Sequence, residues 1–331
     1  MEVINVVLSG GVGSRLWPLS RKKCPKQYLN IFQGQSLFEL TIRRNSEIVD
    51  KVVVVGNIDN EKLSQKVIEN FGGTSSQIIE TIPRNTAAAI AFSAFFAHQN
   101  DILLVTPSDH LIENDREYKK AINSAIHHAK DGYIVTFGVK PTRPETGYGY
   151  IEYEGDDVVS FREKPNMELA KTFLSSGKFL WNSGMFCFKA GVFLEELEKY
   201  NPEIYRSTKV VWEASQHNLI MDPNLSILIP DKSVDYAVME KSDKIKVVPA
   251  EFKWNDLGSF ESLYDYFTTN GYQTDSNGNM VIGTDKHTSF VGLKNAILVY
   301  TEDALLVVHK SDSQGVKSVY EEVKSAFPDL I

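Results

Sequence analysis

The sequence predicts an α/β protein: a mixed, mostly parallel sheet flanked by helices, followed by a small C-terminal β-rich domain. Three observations carry this expectation. Apolar, β-branched runs alternate with helical patterns through the first half. A basic, glycine-rich loop follows the first of those runs. A polar stretch, Thr268 to Asn279, precedes a series of short β segments.

Val3–Leu8, Val52–Val55, Ile102–Val105 and Ile134–Val139 read as buried strands, because continuous apolar runs of this length suit strands covered on both faces. Between them, Leu37–Ser46, Asn60–Asn70, Thr86–His98 and Asp115–Lys130 read as helices. This alternation implies right-handed crossovers and ligand binding beyond the carboxyl ends of the strands. From about residue 145 the texture changes to short strands and turns, with a helix expected at Met167–Ser176. This region is expected to extend the sheet as a substrate-facing wall. Ser233–Glu240 reads as a short helix capped by Ser233. Thr268–Asn279 reads as a linker. Met280–Ile282, Ser289–Leu293, Ala296–Val299 and Ala304–Val308 read as β segments, and Gly315–Phe327 as a final helix. The expected division is 1–268 for the main domain and 278–331 for the small one. The phenylalanines 92, 95 and 96 fit a buried helix face, and His127-His128 a solvated one.

The loop after the first strand, Ser9 to Gln27, carries Gly10, Gly11 and Gly13, then Arg15, Arg21, Lys22, Lys23 and Lys26. No acidic residue lies between Glu2 and Glu39, although the formal net charge is -8. Glycines let backbone N–H groups approach an anion, and neighbouring cations neutralise it, so the loop reads as a polyphosphate cradle. It is not a dinucleotide fingerprint, because Leu16 stands where a third glycine is needed. It is not a P-loop either, since no Gly-Lys-Ser/Thr occurs near it. Trp17-Pro18 disfavours a helix directly after the loop.

With 331 residues, 42% hydrophobic and 24% charged, the chain has the composition of an ordinary soluble protein. The acidic balance argues against general nucleic-acid binding. No apolar run approaches a membrane span, and the N-terminus lacks a signal-peptide pattern. Cys24 and Cys187 are too few for a disulfide framework. A cytoplasmic protein with a small anionic ligand is expected.

Gly10-Gly11-Val12-Gly13-Ser14-Arg15-Leu16-Trp17-Pro18 with Pro25-Lys26-Gln27 resembles the signature of the sugar-1-phosphate nucleotidylyltransferases, in the form carried by the mannose-1-phosphate guanylyltransferases. Further pieces follow in the same order as in that family: Pro83–Ala87, Pro107–His110, Gly147–Ile151, Phe161–Pro165, Trp181–Phe186, Ser233–Tyr236 and Trp254–Gly258. The resemblance spans essentially the whole chain. It implies a Rossmann-like fold of the nucleotide-diphospho-sugar transferase type, in a short monofunctional form without a fused isomerase domain. It also implies GTP and α-D-mannose 1-phosphate as substrates, Mg²⁺ as cofactor, and a tail often used in subunit contacts, as in a homodimer. Alternatives are another sugar 1-phosphate or nucleotide, or a non-catalytic homologue that binds nucleotide sugars and regulates a partner.

In such a reaction a sugar phosphate attacks the α-phosphate of the nucleotide in line and pyrophosphate leaves. The attacking oxygen is already ionised, so catalysis is positioning and charge neutralisation, and no catalytic triad is expected. The resemblance implies Arg15 and Lys26 as the catalytic cations. It sets Ser9, Gly10, Gly11, Gly13 and Ser108 against the nucleotide, with Arg84, Asn85 and Thr86 at base and ribose. Asp109 and Asp256 are the expected Mg²⁺ ligands, since that ion prefers oxygen, and His110 is a neighbour that shapes the loop. Glu163, Lys164, Asn182 and the backbone of Gly147 and Gly149 are expected at the sugar phosphate.

Overall fold

The computed structural model describes residues 1–331 as two compact, discontinuous units. The first comprises 1–10, 41–108 and 112–254, and the second 11–40, 109–111 and 255–331.

The first unit is built on a nine-stranded sheet. Its strands are β1 (Val3–Ser9), β2 (Lys51–Asn57), β3 (Ser75–Glu80), β4 (Ile102–Pro107), β6 (Ile134–Val139), β7 (Tyr150–Glu154), β8 (Asp157–Arg162), β9 (Phe179–Lys189) and β10 (Ile245–Pro249). The short β5 (Leu111–Glu113) and β11 (Lys253–Asn255) form a separate ribbon. The sheet order is β3-β2-β1-β4-β9-β6-β10-β8-β7, and only β8 and β9 run against the other strands. The mixed, mostly parallel sheet is therefore present, and the region after residue 145 extends it as expected. β9 enters the middle of the sheet, pairing antiparallel with β4 and β6, where Leu104 opposes Cys187 and both side chains are buried.

Helices cover both faces. α1 is Leu37–Ser46, α2 Glu61–Phe71, α3 Asn85–Phe96, α4 Asp115–Lys130, α5 Met167–Ser176, α6 Ala190–Tyr200, α7 Pro202–Ser215 and α8 Pro223–Ser226. α4 shows why these segments are helical. Asn114 accepts the Glu117 N–H as N-cap, Asp115 and Glu117 sit in the first turn, and basic residues fill the last turn, matching the helix dipole. Its buried stripe Tyr118, Ala121, Ile122, Ala125 and Ala129 recurs at helical spacing. α3 is different, because Ala87 to Ala94 are all buried and Phe92 joins the main core. Phe95 and Phe96 pack against Tyr205 and Trp212 of α7. His127 is exposed as expected, whereas His128 turns its ring toward Asp156 at 3.5 Å.

The second unit holds the glycine loop from Gly11 onward together with the C-terminal segment. Its elements are α9 (Phe260–Thr269), β12 (Met280–Ile282), β13 (Ala296–Tyr300), β14 (Leu305–His309) and α10 (Val316–Ala326), with the three strands forming one sheet. Its core contains Leu16, Trp17, Phe260, Leu263, Ile297, Val299 and Tyr320. Trp17 Nε1 donates to the Leu330 carbonyl at 2.9 Å, and Arg21 donates to that same carbonyl and to Asp303 Oδ1. The basic loop and the end of the chain thus share one core.

Three local expectations are corrected. Ser233–Glu240 is not an ordinary helix capped by Ser233. After Val234 the backbone makes a π turn, Asp235–Met239, with no side-chain cap. Ser289–Leu293 is not a strand: Val291 is 91% exposed and Gly292 has φ 75°, so no neighbour is offered for pairing. Thr268–Asn279 is not a free linker, because α9 runs to Thr269 and Asn279 is buried. Asn279 bonds Asp275 Oδ2 at 2.8 Å and the Leu293 carbonyl at 3.0 Å, and accepts the Ala296 N–H at 2.8 Å.

Candidate active site

Within the second unit, a pocket of about 220 Å³ is lined by Gly13, Ser14, Arg15, Leu16, Lys26, Asp109, His110, Asp256 and Gly258. Four of the expected charged residues, Arg15, Lys26, Asp109 and Asp256, therefore meet in one place. The loop is shaped by a 3₁₀ turn at Ser14–Leu16, in which Leu16 N–H donates to the Gly13 carbonyl. Trp17 then leaves extended (ψ 137°), in line with the proline that follows it. Ser20 Oγ and Lys26 N–H donate to the Gly13 and Val12 carbonyls, at 2.6 and 3.3 Å.

Gly13 adopts φ 75°, and a Cβ there would lie 2.5 Å from Lys26 Cβ. Lys26 can lie across the loop only because that Cβ is missing. Gly13→Ala should therefore shift Lys26 and lower stability by about 1–3 kcal/mol. A denaturation curve matching that of the parent protein would contradict this.

The Lys26 side chain is buried, and its ammonium donates to Asp109 Oδ2 at 2.8 Å and to the Asp256 carbonyl. Asp109 remains 36% exposed. Burial works to raise its pKa, but the Lys26 and His110 charges and the Lys26 hydrogen bond outweigh it and hold the carboxyl below its usual range. Asp256 Oδ1 accepts the Gly258 N–H at 3.2 Å, and Asn255 Oδ1 accepts the Leu257 N–H at 2.8 Å. Leu257 between them has φ 44°, an unfavourable conformation for leucine that fixes the direction of the Asp256 turn. α9 starts directly afterwards with a Ser259/Ser262 capping box. Nowhere does the structure gather three or more His, Cys, Asp or Glu side chains around one metal position.

The expected sugar-phosphate residues lie in the first unit and form a second cluster. Lys164 N–H donates to the Tyr148 carbonyl at 3.2 Å, and Asn182 N–H donates to the Gly149 carbonyl at 2.8 Å, so three separate motifs are joined through the backbone. Gly147 has its N–H already engaged by Glu145 Oε1 at 3.0 Å. A Cβ on Gly149 would fall 2.5 Å from Glu163 Oε2 and 3.2 Å from Asn182 Cβ, so a side chain there would force the Glu163 carboxyl to move. Glu163 Oε2 is buried without a hydrogen-bond partner, while Oε1 lies 3.2 Å from Lys164 Nζ. Burial, then the neighbouring Asp235 charge, push the Glu163 carboxyl up to about 7 against the pull of Lys164.

The expected nucleotide residues of the first unit sit at or just beyond the carboxyl ends of its strands. Ser9 ends β1 and is buried, Gly10 is exposed, and the Ser108 N–H donates to the Leu8 carbonyl at 3.0 Å. Gly11 is exposed in the second unit. Arg84, Asn85 and Thr86 precede and open α3, and each already holds the 229–234 segment. Arg84 Nε donates to the Ile229 carbonyl at 2.6 Å, and Asn85 Nδ2 to Asp231 Oδ1 at 2.9 Å. Thr86 Oγ1 accepts the Val234 N–H at 2.9 Å. The start of α3 is not open, since the Ala87 N–H reaches the Lys232 carbonyl at 3.4 Å.

Two further acids emerge here that the sequence does not single out. Glu80, the last residue of β3, is 5% exposed, and its Oε1 has no partner. Burial pushes its carboxyl up to about 7 despite a hydrogen bond from the Arg84 backbone. Asp235 accepts the Asn182 Nδ2 amide at 3.0 Å. Asp235 stands within one of the quoted motifs, but Glu80 leaves no signal beyond a lone acid at the end of an apolar run.

Residues 4–271 match the nucleotidyl transferase family, and residues 271–323 match the MannoseP isomerase/GMP-like beta-helix domain. The chain is 39% identical over 345 residues to the xanthan biosynthesis protein XanB of Xanthomonas campestris pv. campestris, covering 98% of this chain and 74% of that protein. It is 38% identical over 352 residues to the mannose-1-phosphate guanylyltransferase of Salmonella montevideo, covering 96% and 73%. Among solved structures, one described as mannose-1-phosphate geranyltransferase from Thermus thermophilus superposes with a TM-score of 0.83 at 28% identity, covering 98% of this chain and 100% of that one. No helix is long and apolar enough to cross a membrane. The chain belongs to the nucleotidyl transferase family and is an enzyme of that class, followed by a MannoseP isomerase/GMP-like β-helix segment.

Proposed function

We propose that this enzyme transfers GMP from GTP to α-D-mannose 1-phosphate, giving GDP-mannose and pyrophosphate. The observation that carries the reading is the meeting of Arg15 and Lys26 with Asp109 and Asp256 around one pocket. A binding module needs phosphate cations but has no use for two carboxylates beside them. The relatives support the sugar and the base, since one carries the name mannose-1-phosphate guanylyltransferase.

The donor set fits Mg²⁺. Two carboxylates line a pocket that also holds phosphate-binding cations, and Lys26 engages Asp109 Oδ2 while leaving Oδ1 free of that bond. Mg²⁺ sites typically take one or two carboxylates and complete their shell with phosphate and water, so no larger protein cage is required. Asp109 and Asp256 would hold the ion, which when bound neutralises phosphate charge and polarises phosphoryl oxygens. Lys26 and Arg15 neutralise the triphosphate and the charge that grows on departing pyrophosphate. Glu163, Lys164 and Asn182 orient the sugar phosphate for in-line attack, and no residue needs to remove a proton. The path of the phosphates tests this directly. With GTP labelled at the α-phosphorus, the label should appear in the sugar nucleotide, and with γ-label in pyrophosphate. Label from the γ position in the sugar product would refute the reading.

Glu80 supports guanine. The Watson–Crick edge of guanine presents two N–H donors, N1–H and N2–H, which a carboxylate accepts together, whereas uracil and thymine present one. Glu80 is a buried acceptor with an unmet oxygen, four residues before Arg84. Glu80→Gln should raise the KM for GTP about 10–100-fold, the cost of leaving buried polar groups mispaired. The same change should stabilise the free protein. A carboxyl raised to about 7 from an ordinary 4.5 makes the folded state lose stability as pH climbs between those values. Glutamine removes that loss, so the variant should gain up to about 3 kcal/mol at pH 8 and nothing near pH 4. An unchanged KM for GTP would exclude Glu80 from base recognition.

A further inference from the structure

The Asn182 amide is almost fully engaged inside the protein. Its Oδ1 accepts the Thr136 hydroxyl at 3.1 Å and the Gly184 N–H at 3.1 Å, which fills both lone pairs of an amide carbonyl. Its Nδ2 gives one hydrogen to Asp235 Oδ1 at 3.0 Å. One N–H remains. A flipped amide would set a donor against the Gly184 N–H and a carbonyl against the Asp235 carboxylate, so the network permits a single orientation.

Asp235 is delivered by an uncommon device. It opens the π turn Asp235–Met239, whose Ala237, Val238 and Met239 are buried and anchor the turn. The segment before it is pinned by Arg84, Asn85 and Thr86. Single π turns frequently mark functional sites. Beside Asn182, Glu163 Oε2 is buried with no partner, and both side chains crowd the position where Gly149 lacks a Cβ.

We propose that Asp235 is a positioning residue for sugar selection, fixing Asn182 as a one-hydrogen donor beside the Glu163 carboxyl so that one sugar hydroxyl is read twice, accepting from Asn182 and donating to Glu163. This rests on the sugar-phosphate reading of the Asn182 cluster. The Glu163 and Asp235 carboxyls are both raised chiefly by burial, in keeping with acids held close together under Lys164.

The test is steady-state kinetics with GTP and mannose 1-phosphate on Asp235→Ala, Asp235→Asn and Asn182→Ala. Asp235→Ala should raise the KM for mannose 1-phosphate about tenfold and leave the KM for GTP within about twofold. Asp235→Asn keeps a carbonyl acceptor for Asn182 and should restore the sugar KM. Should Asp235→Ala prove insoluble, the near-isosteric Asp235→Leu replaces it. Equal changes in both KM values, a lowered thermal midpoint with unchanged kinetics, or no rescue by asparagine would overturn the role of Asp235. The sugar-site reading survives those results if Asn182→Ala still raises the sugar KM. An unchanged sugar KM in Asn182→Ala removes both.

Discussion

Replacing Lys26 by alanine is expected to lower kcat by about 10²–10³-fold, the range seen when one preorganised charge-stabilising donor is removed from a transition state. The thermal midpoint should move by only a few degrees. Two features of the structure separate these effects. The Lys26 ammonium is buried against Asp109 and the Asp256 carbonyl, so it is fixed before substrate arrives and needs no reorganisation. Its partner Asp109 is 36% exposed, so water can solvate the carboxylate once the lysine is gone. A buried partner would make the loss of stability much larger. Rapid-quench turnover beside a calorimetric scan checks both halves. Near-parental turnover would remove Lys26 from catalysis.

Asp109→Asn and Asp256→Asn should each reduce turnover at least about a hundredfold and raise the Mg²⁺ concentration needed for half-maximal rate. Asparagine keeps the shape and the hydrogen bonds to Lys26 and Gly258 but removes the charge that attracts the ion. The pH dependence of the parent adds a second check. Lys26 and His110 hold the Asp109 carboxyl below its ordinary range, so its stabilising ion pair is present above that range and is lost only in strong acid. Activity should therefore show no Asp109 titration near neutrality. Unchanged Mg²⁺ dependence in both variants would remove the two carboxylates from ion binding.

Much of the first unit is legible in the sequence because its signals are local. Four consecutive valines in β2, and the stripe of Tyr118, Ile122 and Ala129 in α4, state burial and period within a few residues. The glycine loop is legible for a similar reason: an uninterrupted excess of cations in an acidic chain has few other uses. What stays hidden depends on long-range pairing. Trp17 reaches Leu330 across 313 positions, and no local pattern announces that contact. The antiparallel place of β9 between β4 and β6 is likewise set by pairing with distant strands, not by its own residues. The π turn at Asp235 reads as an ordinary helix because one extra residue per turn leaves the composition unchanged. Glu80 escapes sequence reasoning because its significance is a buried oxygen without a partner, a property of the folded chain.

Pyrophosphate release, measured with Mg²⁺ over a matrix of nucleoside triphosphates and sugar 1-phosphates, decides both the reaction and its substrates. The highest kcat/KM is expected for GTP with mannose 1-phosphate. Best turnover with dTTP and glucose 1-phosphate would contradict the assigned specificity, and no release with any pair would contradict catalysis itself.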